Sequence, residues 1–248
     1  MRNQDSGDQK YAWRFSITCK AAIRLFSVCT LASSGVFLSP IRDDEIRVSS
    51  WSSNGIFWEK APVRIIGHGS RPFLIDNDSA CKILEKLYAE RGSSCLKVYL
   101  VDGFIRCVTA NSSCYFEEVK CHRPDIWGII RGSRCNGSVI VSRKKLLKAL
   151  DEPWQRLRVV PDNTGISVES SIGEGSASVI PRIDISGYAP YFIINRLFLL
   201  RFVKRLTGEF IRIMIHGPGA FACLISDETD KTLAFIACNL EEHKGVTS

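Results

Sequence analysis

The sequence predicts an α+β chain of two similar domains, each built from two modules in which a strand leads into a short helix and then into several strands. Three observations carry this expectation. Helix-like stretches recur four times, at 19–32, 79–91, 142–151 and 195–206, with apolar residues gathering on one side at the 3.6 period in the last three. Alternating strand-like runs fill the intervals, punctuated by Gly, Pro, Asn and Asp. At 248 residues and 45% hydrophobic content, the chain can bury cores for two domains of about 110 to 120 residues each.

In order, residues 1–12 are polar and expected to be a disordered leader. The N-terminal domain, 13–120, opens with a strand at 13–17, a helix at 19–32, and strands near 35–38, 45–50 and 56–66. Gly67, Gly69, Ser70 and Pro72 end that module. The second has a strand at 73–75, the start signal Asp76-Asn77-Asp78-Ser79, a helix to Arg91, and strands at 96–101, 104–109 and 114–119. Asp102-Gly103 between apolar runs is a strong hairpin signal. Residues 121–137 hold three Gly, one Pro and three Arg without alternation, and are expected to be an interdomain connecting loop. The C-terminal domain, 138–240, repeats the plan. Its strands fall at 138–141, 157–160, 165–170 and 176–180, then at 191–194, 209–215, 220–225 and 232–238; a tail, 241–248, follows.

Charge separates the helices from the rest. The four helical stretches carry net +2, +1, +3 and +4, which is +10 against +7 for the whole chain, so everything else is slightly acidic at −3. The cations are Lys20 and Arg24 in the first stretch, Lys82, Lys86 and Arg91 against Glu85 and Glu90 in the second, Arg143, Lys144, Lys145 and Lys148 against Asp151 in the third, and Arg196, Arg201, Lys204 and Arg205 in the fourth. A surface helix is polar outside for solvation alone, and that accounts for any one of them. It does not account for sign: the third and fourth stretches hold eight basic residues and one acid. The pattern fits a surface that holds a polyanion.

Ten cysteines are many, yet none forms C-x-x-C and none has zinc-finger spacing with histidine, so no metal and no cofactor is expected. Cys107, Cys223 and Cys238 lie in apolar runs, where a thiol acts as a small core residue, and a reduced intracellular protein is favoured. The rival reading is a secreted disulfide protein with 21–38 as a signal segment, which Arg24 interrupts. No other run reaches the roughly 18 apolar residues of a membrane helix.

The strand–helix–strands plan, repeated twice per domain with basic helices on one side, is similar to that of the sliding DNA clamps. Tyr191-Phe192-Ile193-Ile194-Asn195-Arg196-Leu197-Phe198-Leu199-Leu200 resembles the F-N-x-x-Y-L-L pattern that opens the last helix of bacterial β clamps. Phe210 to Ile215, Gly217-Pro218, Leu224-Ile225 and Leu233 to Leu240 follow that family's closing strands in order. Val139-Ile140-Val141-Ser142-Arg143-Lys144-Lys145-Leu146-Leu147 resembles its strand, basic pair and L-L-x-x-L helix. The resemblance is residue-level over 138–240 and topological over 13–120.

This resemblance implies a clamp fold with the basic helices on the inner face of the sheets, contacting the phosphate backbone of double-stranded DNA within the cell. It implies a DNA polymerase and a clamp loader as partners. β clamps have three domains per subunit and close as dimers, whereas two-domain clamps close as trimers, so four modules imply a homotrimer. Partner peptides would dock near Trp51, Ile126, Trp127, Ile129, Ile130, Ile236, Ala237 and Cys238. For Trp127 and its neighbours, pinning the loop to the body explains their apolar character equally well. The chain departs from β clamps in the closing strand, Ile236-Ala237-Cys238-Asn239-Leu240, and at 50–56, where the family's T-D-G-H-R-L turn is absent. A clamp paralogue serving only as an interaction subunit, without processivity activity, is the alternative these departures keep open.

An enzyme is not expected. His68 and His216 sit in glycine-rich turns, and Cys114 and Cys121 lie near His122, but no nucleophile elbow, H-E-x-x-H, phosphate loop or dinucleotide fingerprint accompanies them.

Overall fold

The computed structural model describes residues 13–32, 34–52, 55–66, 71–90, 95–101, 103–120, 128, 132, 134–151, 156–161, 164–170, 178–187, 192–217, 222–227 and 232–237. The fold is α+β and rich in antiparallel sheet. The chain divides into two compact units. Unit 1 comprises Met1–Ser50 and Glu59–His122, and unit 2 comprises Trp51–Trp58 and Arg123–Ser248.

The first module, in unit 1 except for Trp51–Trp58, runs β1 (Trp13–Thr18), α1 (Cys19–Phe26), β2 (Val36–Arg42), β3 (Glu45–Ser52), β4 (Gly55–Pro62) and β5 (Arg64–Ile66). The second runs β6 (Phe73–Ile75), α2 (Asn77–Ala89), β7 (Cys95–Val101), β8 (Phe104–Val108) and β9 (Ser113–Glu117). The leading strand of each module pairs with the other module's first strand after the helix: β1 with β7 and β6 with β2. The first exchange builds a five-stranded sheet, β5-β1-β7-β8-β9. One face of it buries Phe15, Ile17, Val98, Leu100, Ile105 and Cys107 in a common core with Leu25 and Phe26 of α1 and Ile83, Leu84 and Leu87 of α2.

Unit 2 repeats the exchange. Its modules are β10 (Cys135–Ser142), α3 (Arg143–Ala149), β11 (Arg156–Pro161), β12 (Gly165–Ser170) and β13 (Ser178–Gly187), then β14 (Phe192–Asn195), α4 (Arg196–Arg205), β15 (Phe210–His216), β16 (Ala222–Asp227) and β17 (Thr232–Ala237). Here β10 pairs with β15, and β14 with β11. The core joins Val139, Val141, Leu157, Ile166, Ile211 and Ile213 of the strands to Leu146 of α3 and Phe202 of α4. Trp51–Trp58 clusters with this unit, and the Phe57 ring centre lies 4.6 Å from that of Phe198 and 5.1 Å from that of Phe202.

Local chemistry sets the boundaries. The helix expected over 19–32 stops at Phe26 and tightens into a 3-10 turn at Ser27–Thr30. There the Ser27 and Thr30 hydroxyls donate to the carbonyls of Arg24 and Ser27, at 2.8 and 2.7 Å, offering the backbone another partner. The single strand expected over 56–66 breaks at Val63, after Pro62, where Val63 N–H donates to Asp44 O in the β2–β3 turn at 2.9 Å, and Arg64–Ile66 then join the five-stranded sheet beside β1. β10 begins at Cys135, inside the expected connecting loop, because Cys135 and Gly137 already pair with β15. β13 runs to Gly187 rather than stopping at Ile180, since its second half changes partner from β12 to β10. The β7–β8 hairpin is tight as expected, with Val101 opposite Phe104 and Gly103 at φ +85°.

Candidate nucleic-acid interface

The paired helices of unit 2 carry the densest charge. α4 buries Phe198, Leu199, Phe202 and Val203 and turns Arg201 and Lys204 to solvent; α3 buries Leu146 and Ala149 and exposes Lys144, Lys145 and Lys148. Arg205 is half-buried. Asn195 starts α4 by accepting the Phe198 N–H at 3.0 Å.

Two of the expected contact residues also bond within the unit. Arg143, first in α3, donates from Nε to Val203 O at 3.1 Å and from Nη2 to Lys204 O at 3.2 Å, the closing carbonyls of α4. Arg196, first in α4, donates from Nε to Leu150 O at 2.8 Å, at the close of α3. The first residue of each helix thus satisfies and neutralises the end of the other, where unpaired carbonyls concentrate negative potential. Sequence could not show this, because the partners are 46 to 61 residues apart.

Unit 1 offers less. Lys20 and Lys82 are exposed, but Arg24 is ion-paired through Nε to Glu59 Oε1, and Glu59 is buried on β4. Lys86 is half-buried, and its charge helps hold the Cys114 thiol low. Cys107 and Cys114 face each other across β8 and β9. The hydrogen bond from Cys107 is the main cause that brings Cys114 down to about 7, while that same bond, then burial, pushes Cys107 well up. Asp76, which starts α2, loses some preference for charge through burial. Bonds from the Ser79 hydroxyl (2.5 Å) and Ser79 N–H (2.9 Å) outweigh it and hold the carboxyl below the ordinary range.

Of the residues expected to dock partners, Trp51 is half-buried on β3. Ile126, Trp127, Ile129, Ile130 and Cys238 lie outside the described residues, as do the side chains of Ile236 and Ala237. His216, weighed above for catalysis, is buried at the end of β15, and His68 lies outside the described residues. Among the described residues no three His, Cys, Asp or Glu side chains gather to hold a metal, and no helix is long and apolar enough to cross a membrane.

No protein-family model matches this sequence, and comparison with curated proteins finds no match. Solved structures do match. The DNA polymerase sliding clamp of Bacillus subtilis superposes with a TM-score of 0.80 at 16% identity, over 96% of this chain and 67% of that one. The corresponding Pseudomonas aeruginosa clamp gives 0.78 at 14% identity, over 97% and 70%. The DNA polymerase III beta subunit of Thermotoga maritima gives 0.75 at 13% identity, over 97% and 68%. The chain therefore has the sliding-clamp fold, as the residues of its third and fourth modules suggested.

Proposed function

We propose that this chain is a processivity factor that closes a ring around duplex DNA and tethers a polymerase to it. The observation that carries the reading is the sign and placement of charge on α3 and α4. Lys144, Lys145, Lys148, Arg201 and Lys204 are each exposed on a pair of helices in contact, which supports reading them together as one basic surface. Flexible cationic stems facing phosphates give weak, exchangeable, sequence-blind contact, so the ring slides and topology supplies persistence. Support for the ring comes from the fold shared with DNA polymerase sliding clamps. Rings of that family hold six such domains, which corresponds to three copies of a two-unit chain. The segment ahead of β10, with Ile126, Trp127, Ile129 and Ile130, is the proposed docking strip for a polymerase or loader peptide, together with Trp51, Ile236, Ala237 and Cys238. The protein would work inside the cell, holding DNA rather than transforming it.

The first test is solution mass by light scattering, at a concentration that holds a weak ring together, with three chains expected. Protein loaded on nicked circular DNA by the cognate loader is then followed through cutting of the circle. Encirclement predicts retention on circles and release from cut ends. Equal retention on both forms overturns it. A stable monomer that still binds a polymerase would instead support the interaction-only reading.

A further inference from the structure

The face of the five-stranded sheet turned away from α1 and α2 carries a row of aromatic and cationic side chains. Cross-strand register places Ile66, Arg14, Tyr99, Arg106 and Tyr115 in one continuous row over β5, β1, β7, β8 and β9. The Arg106 guanidinium carbon lies 5.9 Å from the Tyr99 ring centre and 5.4 Å from that of Tyr115, so one cation is flanked by two π-faces. Its Nε is buried and has no hydrogen-bond partner among the described residues. Adjacent strands are about 4.8 Å apart, which sets the two tyrosines on strands about 10 Å apart.

The neighbouring rows extend the pattern. Arg64 and Lys97 flank Ser16 in the next row, and Phe104, 54% exposed, sits beside Glu117 on the other side. A depression of about 190 Å³ lies between Arg14, Ser16, Ile66, Lys97 and Tyr99. Cross-strand pairs of this kind also stabilise a sheet by themselves. Stabilisation explains neither Tyr115, 62% exposed on the edge strand, nor four cations against one acid.

From these features we infer that this sheet face binds single-stranded nucleic acid. Aromatic faces interleaved with cations across a sheet suit a chain that carries a phosphate at every step and a flat base beside it. Duplex DNA offers phosphates but keeps its bases stacked inside, and an acidic peptide offers charge without stacking surfaces. The site lies on the opposite side of the unit 1 sheet from the helices, so one chain would hold duplex by its helices and a single strand by its sheet.

The test is anisotropy of a labelled oligo-dT with the full chain. Replacing Tyr99 and Tyr115 together by Leu keeps apolar bulk on the strands and removes stacking, and should weaken binding by at least about fivefold per tyrosine. Replacing both by Phe should restore it. Lys144→Glu with Lys148→Glu should weaken duplex binding far more than oligo-dT binding, which separates this site from the ring reading. Should the double Leu variant lose its folded circular-dichroism spectrum, the exposed Tyr115→Leu alone decides. Failure of the wild type to bind oligo-dT overturns the inference. So does equal binding by the Leu and Phe variants, or polyglutamate competing as well as oligo-dT does.

Discussion

Reversing Lys144, Lys148 and Lys204 together to Glu tests the proposed interface where its charge is densest. All three are exposed, on helices whose apolar faces are buried independently, so the fold should survive. The chain's net charge falls from +7 to +1, each reversal moving it by two. If each lysine neutralises one phosphate, losing three contacts flattens the slope of log K against log salt by about 2.7. The wild-type advantage over the variant should then shrink by about 40-fold between roughly 50 and 200 mM salt. Repulsion from the new carboxylates makes this a lower bound. The assay is duplex-DNA anisotropy across a salt series, with thermal melts of each protein. Arg143→Ala is the comparison: its guanidinium closes α4, so its loss should cost about 1.5 to 3 kcal/mol of stability and leave the slope unchanged. A folded triple variant with the wild-type slope refutes the reasoning, as does Arg143→Ala flattening the slope as much.

Asp76→Ala should cost about 1 kcal/mol in urea unfolding by removing the start of α2. Because the Asp76 pKa is depressed in the folded state, its contribution is present at neutral pH and lost as pH falls through that depressed value. Asp76→Asn should therefore show a shallower loss of stability in acid than the wild type. Alkylation of Cys114 should rise with pH about a midpoint near 7 rather than 9.0, and Cys107→Ala should move the midpoint up; peptide mass spectrometry reads both. Phe202→Ala, fully buried against Phe57, should cost about 3 to 5 kcal/mol by urea titration.

Much of the fold was legible because its signals are local. The 3.6 period of α2 and α4, the start signal at Asp76 and the Asp102-Gly103 signal each lie within a few residues, and the helices and the β7–β8 pairing formed where they pointed. The failures came where distant contacts decide. A strand is expected only over 176–180, yet β13 continues through Pro181 to Gly187 by changing partner. Trp51–Trp58 reads as part of the first domain, but Phe57 packs with Phe198 and Phe202, about 140 residues on. The basic interface was legible as a charge count, while the split between cations that face solvent and cations that cap a neighbouring helix was not. The sheet-face row of Tyr99, Arg106 and Tyr115 did leave a trace, as every second residue of β7 to β9, but only register aligns them.

The sign of the helix charge also has a cost that sharpens its meaning. A helix N-terminus favours anions, by about 0.3 to 1 kcal/mol for each charge near it. A helix shaped only for solvation would place Asp or Glu in its first turn. α1, α3 and α4 have none there, and α3 opens instead with Arg143, Lys144 and Lys145. Exchange of leading strands then brings α3 against α4, so like charges crowd on adjacent helices. Arg143 and Arg196 offset part of this by lying on the partner helix's carbonyl end, but Lys144 and Lys145 receive no such compensation from the contacts described. Residues set against both their own helix dipole and their neighbours' charge are best explained by an anion outside the chain. In α2, by contrast, Asp78 occupies the first turn and suits the helix dipole, so duplex contact should depend far more on unit 2 than on unit 1.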